Sequence, residues 1–280
     1  MPKSESQSSS SKSGGATPPP PHFGGREDES ESHSLLDKFR SFLSHWWSRV
    51  FRINFWFAVL LLPTCFVTTE TFIECFFKAS RNGLWISPSF VCFAGGGLAW
   101  LVCFFFLPRP VYLYVLGHEV THYFFIKLFG GNIHGLKVSS KGGYVDTDHT
   151  NLLIDLSPYF VPFFTIMIQI IYICFGLLGK MGISAFKLWL EPGSVPLFCL
   201  MALIGLTWTF HLTFTIWMIC IDQPDLKPHG GFFSLVLIYW INLTLISLLV
   251  LLAAPQVTFG KFAFTWWQNC RSMVLLLCGQ

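Results

Sequence analysis

Charged side chains are scarce in this sequence: Asp, Glu, Lys and Arg make up 12% of its 280 residues, against about 25% in soluble domains. That scarcity excludes an ordinary water-soluble globular fold. The net charge of +3 gives no reason to expect a nucleic-acid partner. Paired cysteines are lacking too. The nine cysteines include no CxxC and their number is odd, so they read as small buried apolar side chains, not as a disulfide framework or a cysteine metal site. No internal repeat is visible, which leaves an inverted-repeat transporter without support from that side. The first 30 residues hold no apolar core, so a cleavable signal peptide is not expected.

Apolar side chains are what the chain has in abundance. Hydrophobic residues make up 52% and aromatic ones 18%, with a mean hydropathy of +0.55. This composition predicts an all-α polytopic membrane protein. Residues 1–34 are rich in Ser, Pro and Gly and form a predicted disordered tail. Residues 35–52 mix apolar and basic positions around Trp46 and Trp47, as an amphipathic interfacial segment does. Residues 53–280 form the membrane domain. Its apolar stretches lie near 53–77 (with a break at Pro63), 84–107, 110–131, 152–178, 195–221 and 232–252, giving about six transmembrane helices. The stretch after 252, with Trp266 and Trp267, reads as interfacial or as one further short span. Seven of the 18 Lys and Arg precede the first span, which points to a cytoplasmic N-terminus.

The stretch 110–131, PVYLYVLGHEVTHYFFIKLFGG, carries His118, Glu119 and His122 as HExxH in an otherwise apolar helix. Residues four apart stack on one helical face about 6 Å from each other. Two imidazoles so placed can bind one ion, and the glutamate beside them can reach a water on that ion, which is the arrangement of a hydrolytic zinc site. The alternative is a chance pentapeptide. Against it stands the cost of ionisable groups in an apolar span, about 2.5 kcal/mol or more at the bilayer centre, which a metal would offset.

The other polar positions have simpler explanations beside their functional ones. Lys141-Gly142-Gly143 divides residues 132–149 into a predicted β-hairpin or polar loop. Its His134, Asp146, Asp148 and His149 are possible ligands or plain exposed groups. Pro158 and Pro162 should kink or roughen the start of the fourth span. Glu70 and Glu74 are most simply interfacial, and Asp155 a capping carboxylate. His211 is a lone intramembrane histidine, a ligand candidate or a hydrogen-bonded core residue. The triple glycine Gly95-Gly96-Gly97 suits close helix contact. Catalytic zinc usually takes three protein ligands and a water, so a third is required. The candidates are Asp222, Asp225, His211 and His229, with Asp155 more remote.

The chain resembles the site-2-protease type of intramembrane zinc metallopeptidase over about residues 110–245. The resemblance rests on Gly117-His118-Glu119-Val120-Thr121-His122, the following Lys141-Gly142-Gly143-Tyr144-Val145, Ser157-Pro158, and Gln223-Pro224-Asp225. It implies one Zn2+ held by His118, His122 and a later aspartate, for which Asp225 matches best, although Gln223 and Leu226 replace the family's Asn and Gly. It also implies that Glu119 is the catalytic base and that the substrate is a membrane protein or membrane-bound peptide. The substrate helix must unwind before attack, and an edge strand of the 132–149 region is expected to pair with it. Two other readings stay open: a divalent-metal transporter, in which Glu119 has no particular task, and a catalytically inactive membrane scaffold.

Overall fold

The computed structural model describes residues 53–279 apart from 190, 222, 223, 255 and 256. The tail 1–34, the interfacial segment 35–52, Asp222 and Gln223 therefore lie outside the described residues. Helices α1 (Ile53–Arg81), α2 (Pro88–Phe106) and α3 (Val111–Leu128) are followed by strands β1 (Ile133–Ser139) and β2 (Gly142–Thr147). Helices α4 (Leu152–Phe160), α5 (Phe163–Lys180), α6 (Val195–Ile219), α7 (Gly231–Ala253) and α8 (Phe259–Leu277) complete the chain. Among the described residues, five helices (α1, α2, α5, α6 and α7) are long and apolar enough to cross a membrane. The protein is an all-α polytopic membrane protein with one small antiparallel hairpin. Helix α3 spans 18 residues and, with its HExxH groups and Lys127, is not one of those five.

Large apolar side chains face outward along these helices, with Leu60, Phe66, Leu98 and Phe105 all more than 60% exposed. Such surface suits lipid, not water. The polar requirement is met inside. Gly96 and Gly205 let α2 and α6 touch backbone to backbone: a Cβ on Gly96 would lie 1.9 Å from the Ala202 carbonyl oxygen, and one on Gly205 1.9 Å from that of Phe93. Small residues at a helix crossing serve this purpose in membranes.

Two proline expectations come out differently. Pro63 does not interrupt α1, which runs unbroken for 29 residues; one missing backbone donor leaves the rest of the ladder intact. Pro162, by contrast, splits the fourth apolar stretch. A proline disfavours helical geometry in the residue before it, and Val161 is extended (φ −92°, ψ 105°), so α4 ends there and α5 begins after the proline.

Helix α3 stops in a Schellman turn: Gly130 takes φ +76°, its N–H bonds to the Lys127 carbonyl, and the Gly131 N–H bonds to that of Ile126 at 2.9 Å. The chain then enters the hairpin, whose register pairs Leu136 with Val145 and Lys137 with Tyr144, with an irregularity between Ile133 and Gly135. The turn falls at Ser140-Lys141, and Gly142 and Gly143 begin β2. C-terminal α8 lies along α1: Trp266 Nε1 donates to Thr68 Oγ1 at 3.1 Å, and Asn269 Nδ2 to Thr71 Oγ1 at 3.1 Å. Glu74, whose partners are Lys78 at 2.6 Å and Asn269 at 3.5 Å, is thus a structural carboxylate.

Candidate metal centre

Helical spacing puts His118 and His122 on one face of α3, and the fold brings Asp225 to them from more than a hundred residues away. Asp225 lies on a single 3-10 turn, Pro224–Leu226, in the loop between α6 and α7. Leu226 anchors that turn by packing into a buried cluster with Leu156, Tyr159, Phe160 and Ile238. Among the described residues, these three side chains are the one group of potential ligands that converge, their donor atoms all within 4.8 Å of one another.

The separations are specific. His118 Nε2 and His122 Nε2 are 3.2 Å apart, and Asp225 Oδ2 lies 3.4 Å from the first and 3.8 Å from the second. Tetrahedral zinc with bonds of about 2.0–2.1 Å sets its donor atoms about 3.3 Å apart. The three observed distances bracket that value.

The surroundings fix which atoms face inward. His122 Nδ1 is 2.8 Å from the Ile154 carbonyl oxygen. A carbonyl only accepts, so Nδ1 carries the proton and Nε2 presents a lone pair to the centre. That carbonyl is available for a reason written in the sequence. In α4 it would ordinarily accept from the backbone N–H four residues on, but that residue is Pro158, which has none. Ser157 Oγ also donates to it, at 3.1 Å. We expect Pro158→Ala to return a competing N–H to Ile154 and to weaken divalent-metal affinity about tenfold, with the helix itself at least as stable. A titration with Co2+ on purified protein measures this, and an unchanged affinity would remove the proposed role of the proline.

Two tyrosines complete the shell. Tyr114, one turn before His118, places its hydroxyl 3.3 Å from His118 Nδ1. It is held by stacking on Phe214 with centroids 4.8 Å apart. Tyr159 donates to Asp225 Oδ2 at 2.9 Å, and Asn242 Nδ2 donates to the Tyr159 carbonyl at 2.9 Å. Burial alone would raise the Asp225 carboxyl; histidine N–H groups facing it from His118 and His122 outweigh that and hold it below the usual carboxylate range, an effect that ends once both Nε2 atoms present lone pairs to an ion.

Glu119 is buried and turned toward the hairpin. A Cβ on Gly143 would come within 2.6 Å of the Lys137 carbonyl oxygen on β1, 2.7 Å of the Glu119 Cγ and 2.8 Å of its Oε1, so glycine lets β2 lie against both its partner strand and this carboxylate. Glu119, the histidine pair, Asp225, Tyr144 and Val145 share one cleft of about 510 Å³ between α3, the hairpin and the Asp225 loop.

The remaining candidates stand elsewhere. His211 is buried on α6 and lines a cavity of about 20 Å³ on the Gly117 side of His118; its Nε2 has no protein partner. His229 is bound to Asp155 at 2.7 Å. On the hairpin, Asp148 accepts from the side chain and the backbone of Asn132, each at 2.8 Å; those bonds hold its carboxyl below the ordinary range. His134, Asp146, Asp148 and His149 do not join the donor group. Tyr159 and the Ile154 carbonyl escape a reading of the sequence. Tyr114 was within its reach, because it lies four residues before His118 on the same face.

Comparison of the chain with protein-family models, with curated proteins and with solved structures finds no match in any of the three.

Proposed function

We propose that the protein is a membrane-embedded zinc metalloendopeptidase that hydrolyses a peptide bond of a membrane-protein substrate. The observation that supports this reading best is the convergence of His118, His122 and Asp225 at tetrahedral spacing, with Glu119 in the same cleft. A purely structural histidine pair has no need of an adjacent buried glutamate facing an open cleft. The resemblance to site-2-protease-type enzymes described above supports the same assignment.

His118, His122 and Asp225 would hold one Zn2+, which when bound would supply Lewis acidity to the scissile carbonyl. Glu119 accepts the proton of the attacking water and delivers it to the leaving amine, acting first as base and then as acid. Tyr114 and Tyr159 orient His118 and Asp225 through their hydroxyls. Among the described residues the sheet has two strands only, so β2 has a second edge on which an extended substrate segment can pair in the cleft. The N-terminal segment is assigned to the cytoplasmic side on its excess of Lys and Arg.

The test is cleavage. Purified protein reconstituted in liposomes with a pool of single-span peptides is expected to produce defined fragments, detected by mass spectrometry. Fragmentation should stop with 1,10-phenanthroline and return with added Zn2+. Fragments that persist undiminished under chelation would refute the metallopeptidase reading.

A further inference from the structure

Asp155 and His229 lie in the same region as the candidate metal centre but take no part in its donor set. Asp155 Oδ2 and His229 Nε2 are 2.7 Å apart, and both side chains are more than four-fifths buried. A carboxylate only accepts, so His229 Nε2 carries the hydrogen and donates. This is a short, charge-assisted bond between two elements distant in sequence.

Its placement gives it a consequence. Asp155 and Tyr159 are four residues apart on α4 and so share one face. Asp225 and His229 are four residues apart on the α6–α7 loop. Tyr159 grips Asp225 and Asp155 grips His229, so one face of α4 holds both ends of the segment that carries the carboxylate ligand. From the other side Asn54 Nδ2 of α1 donates to the His229 carbonyl at 2.9 Å. Ile154, the residue next to Asp155, orients His122 through its carbonyl. Helix α4 therefore bears on both halves of the donor set, the histidines of α3 and the aspartate of the loop.

We propose that Asp155 and His229 form a latch that positions Asp225 against the histidine pair. The latch rests on the metal-centre reading above, and both members are positioning residues. Breaking it leaves all three donors in the chain but frees one of them to move relative to the other two. Groups that hydrogen-bond a metal ligand directly typically account for about 10–100-fold in metal affinity; the latch acts one step further out, through the loop that carries Asp225, so its loss is expected at the lower end of that range.

The experiment is Co2+ binding to the full chain in detergent, followed by the visible ligand-field bands and by competition for the dissociation constant, with thermal melting alongside. Asp155→Ala and His229→Ala are each expected to raise the dissociation constant about tenfold and to weaken the bands of a four-coordinate ion. The double variant should bind no worse than either single one, because the two residues act through one bond. Asp155→Asn keeps an acceptor for Nε2–H and should recover most of the affinity. If Asp155→Ala fails to fold, His229→Ala against Asp155→Asn decides the same point. Single variants that bind Co2+ as wild type does, or whose effects add in the double variant, would overturn the latch. Wild type that binds no Co2+ would overturn the metal-centre reading and the latch with it, an outcome distinct from the previous two.

Discussion

Glu119→Gln is expected to lower peptide-bond hydrolysis about 10²–10⁴-fold, the usual contribution of a positioned general base, while the metal stays bound. The substitution preserves size, which matters because Gly143 leaves no spare room beside the Glu119 side chain. It removes the carboxylate next to His118 in the cleft, which can take the proton of the attacking water without being a member of the donor set. Cleavage rate and metal content measured on the same preparation check both halves of the expectation. The result separates the three function classes that the sequence leaves open. A transporter would carry metal across liposomes with Gln at this position as well as with Glu. An inactive scaffold would cleave nothing in either form. A fall in cleavage with metal retained belongs to the peptidase alone.

Asp225→Ala is expected to weaken divalent-metal binding by more than the roughly 10–100-fold that the loss of an outer-shell partner costs. It deletes one of three donors and leaves the Tyr159 hydroxyl, now bonded to Asp225 at 2.9 Å, without its acceptor. His118 and His122 on their own form a two-nitrogen site, which is short of the three protein ligands that catalytic zinc generally takes. His211→Ala is the contrasting variant. That histidine lies on α6 against the small cavity behind His118 and outside the donor group, so its loss should leave metal affinity at the wild-type value. Competition titrations with a chromophoric chelator measure both. Retention of tight binding in Asp225→Ala with loss in His211→Ala would reverse the assignment of the third ligand.

Much of this was legible in the sequence, for identifiable reasons. Long apolar stretches bounded by Pro and Gly locate helices because the bilayer sets their length and backbone chemistry sets their ends. HExxH places two histidines on one face because helical periodicity is local. The hairpin was visible from Lys141-Gly142-Gly143, although its turn falls at Ser140-Lys141 and the glycines serve the strand. Gly143 lies against both the Lys137 carbonyl of the paired strand and the Glu119 side chain, and no local pattern reveals the second of these. Asp225 could be singled out from Asp222, His211 and His229 only through the family resemblance, since nothing in Gln223-Pro224-Asp225-Leu226 states that the loop folds back onto α3. That return depends on Leu226 packing under Tyr159 and on the Asp155–His229 bond, both of them long-range contacts. Pro158 was legible as a breaker and illegible as a device: its missing N–H matters only once His122 is seen to use the carbonyl it leaves free.

The most direct test of the central claim is the metal content of detergent-purified wild-type protein by elemental analysis, beside a His118→Ala/His122→Ala variant prepared in parallel. About one zinc per chain is expected in the wild type, as three protein donors converging on one point require, and none in the variant. Wild type without stoichiometric metal, or a variant that keeps it, would contradict the account.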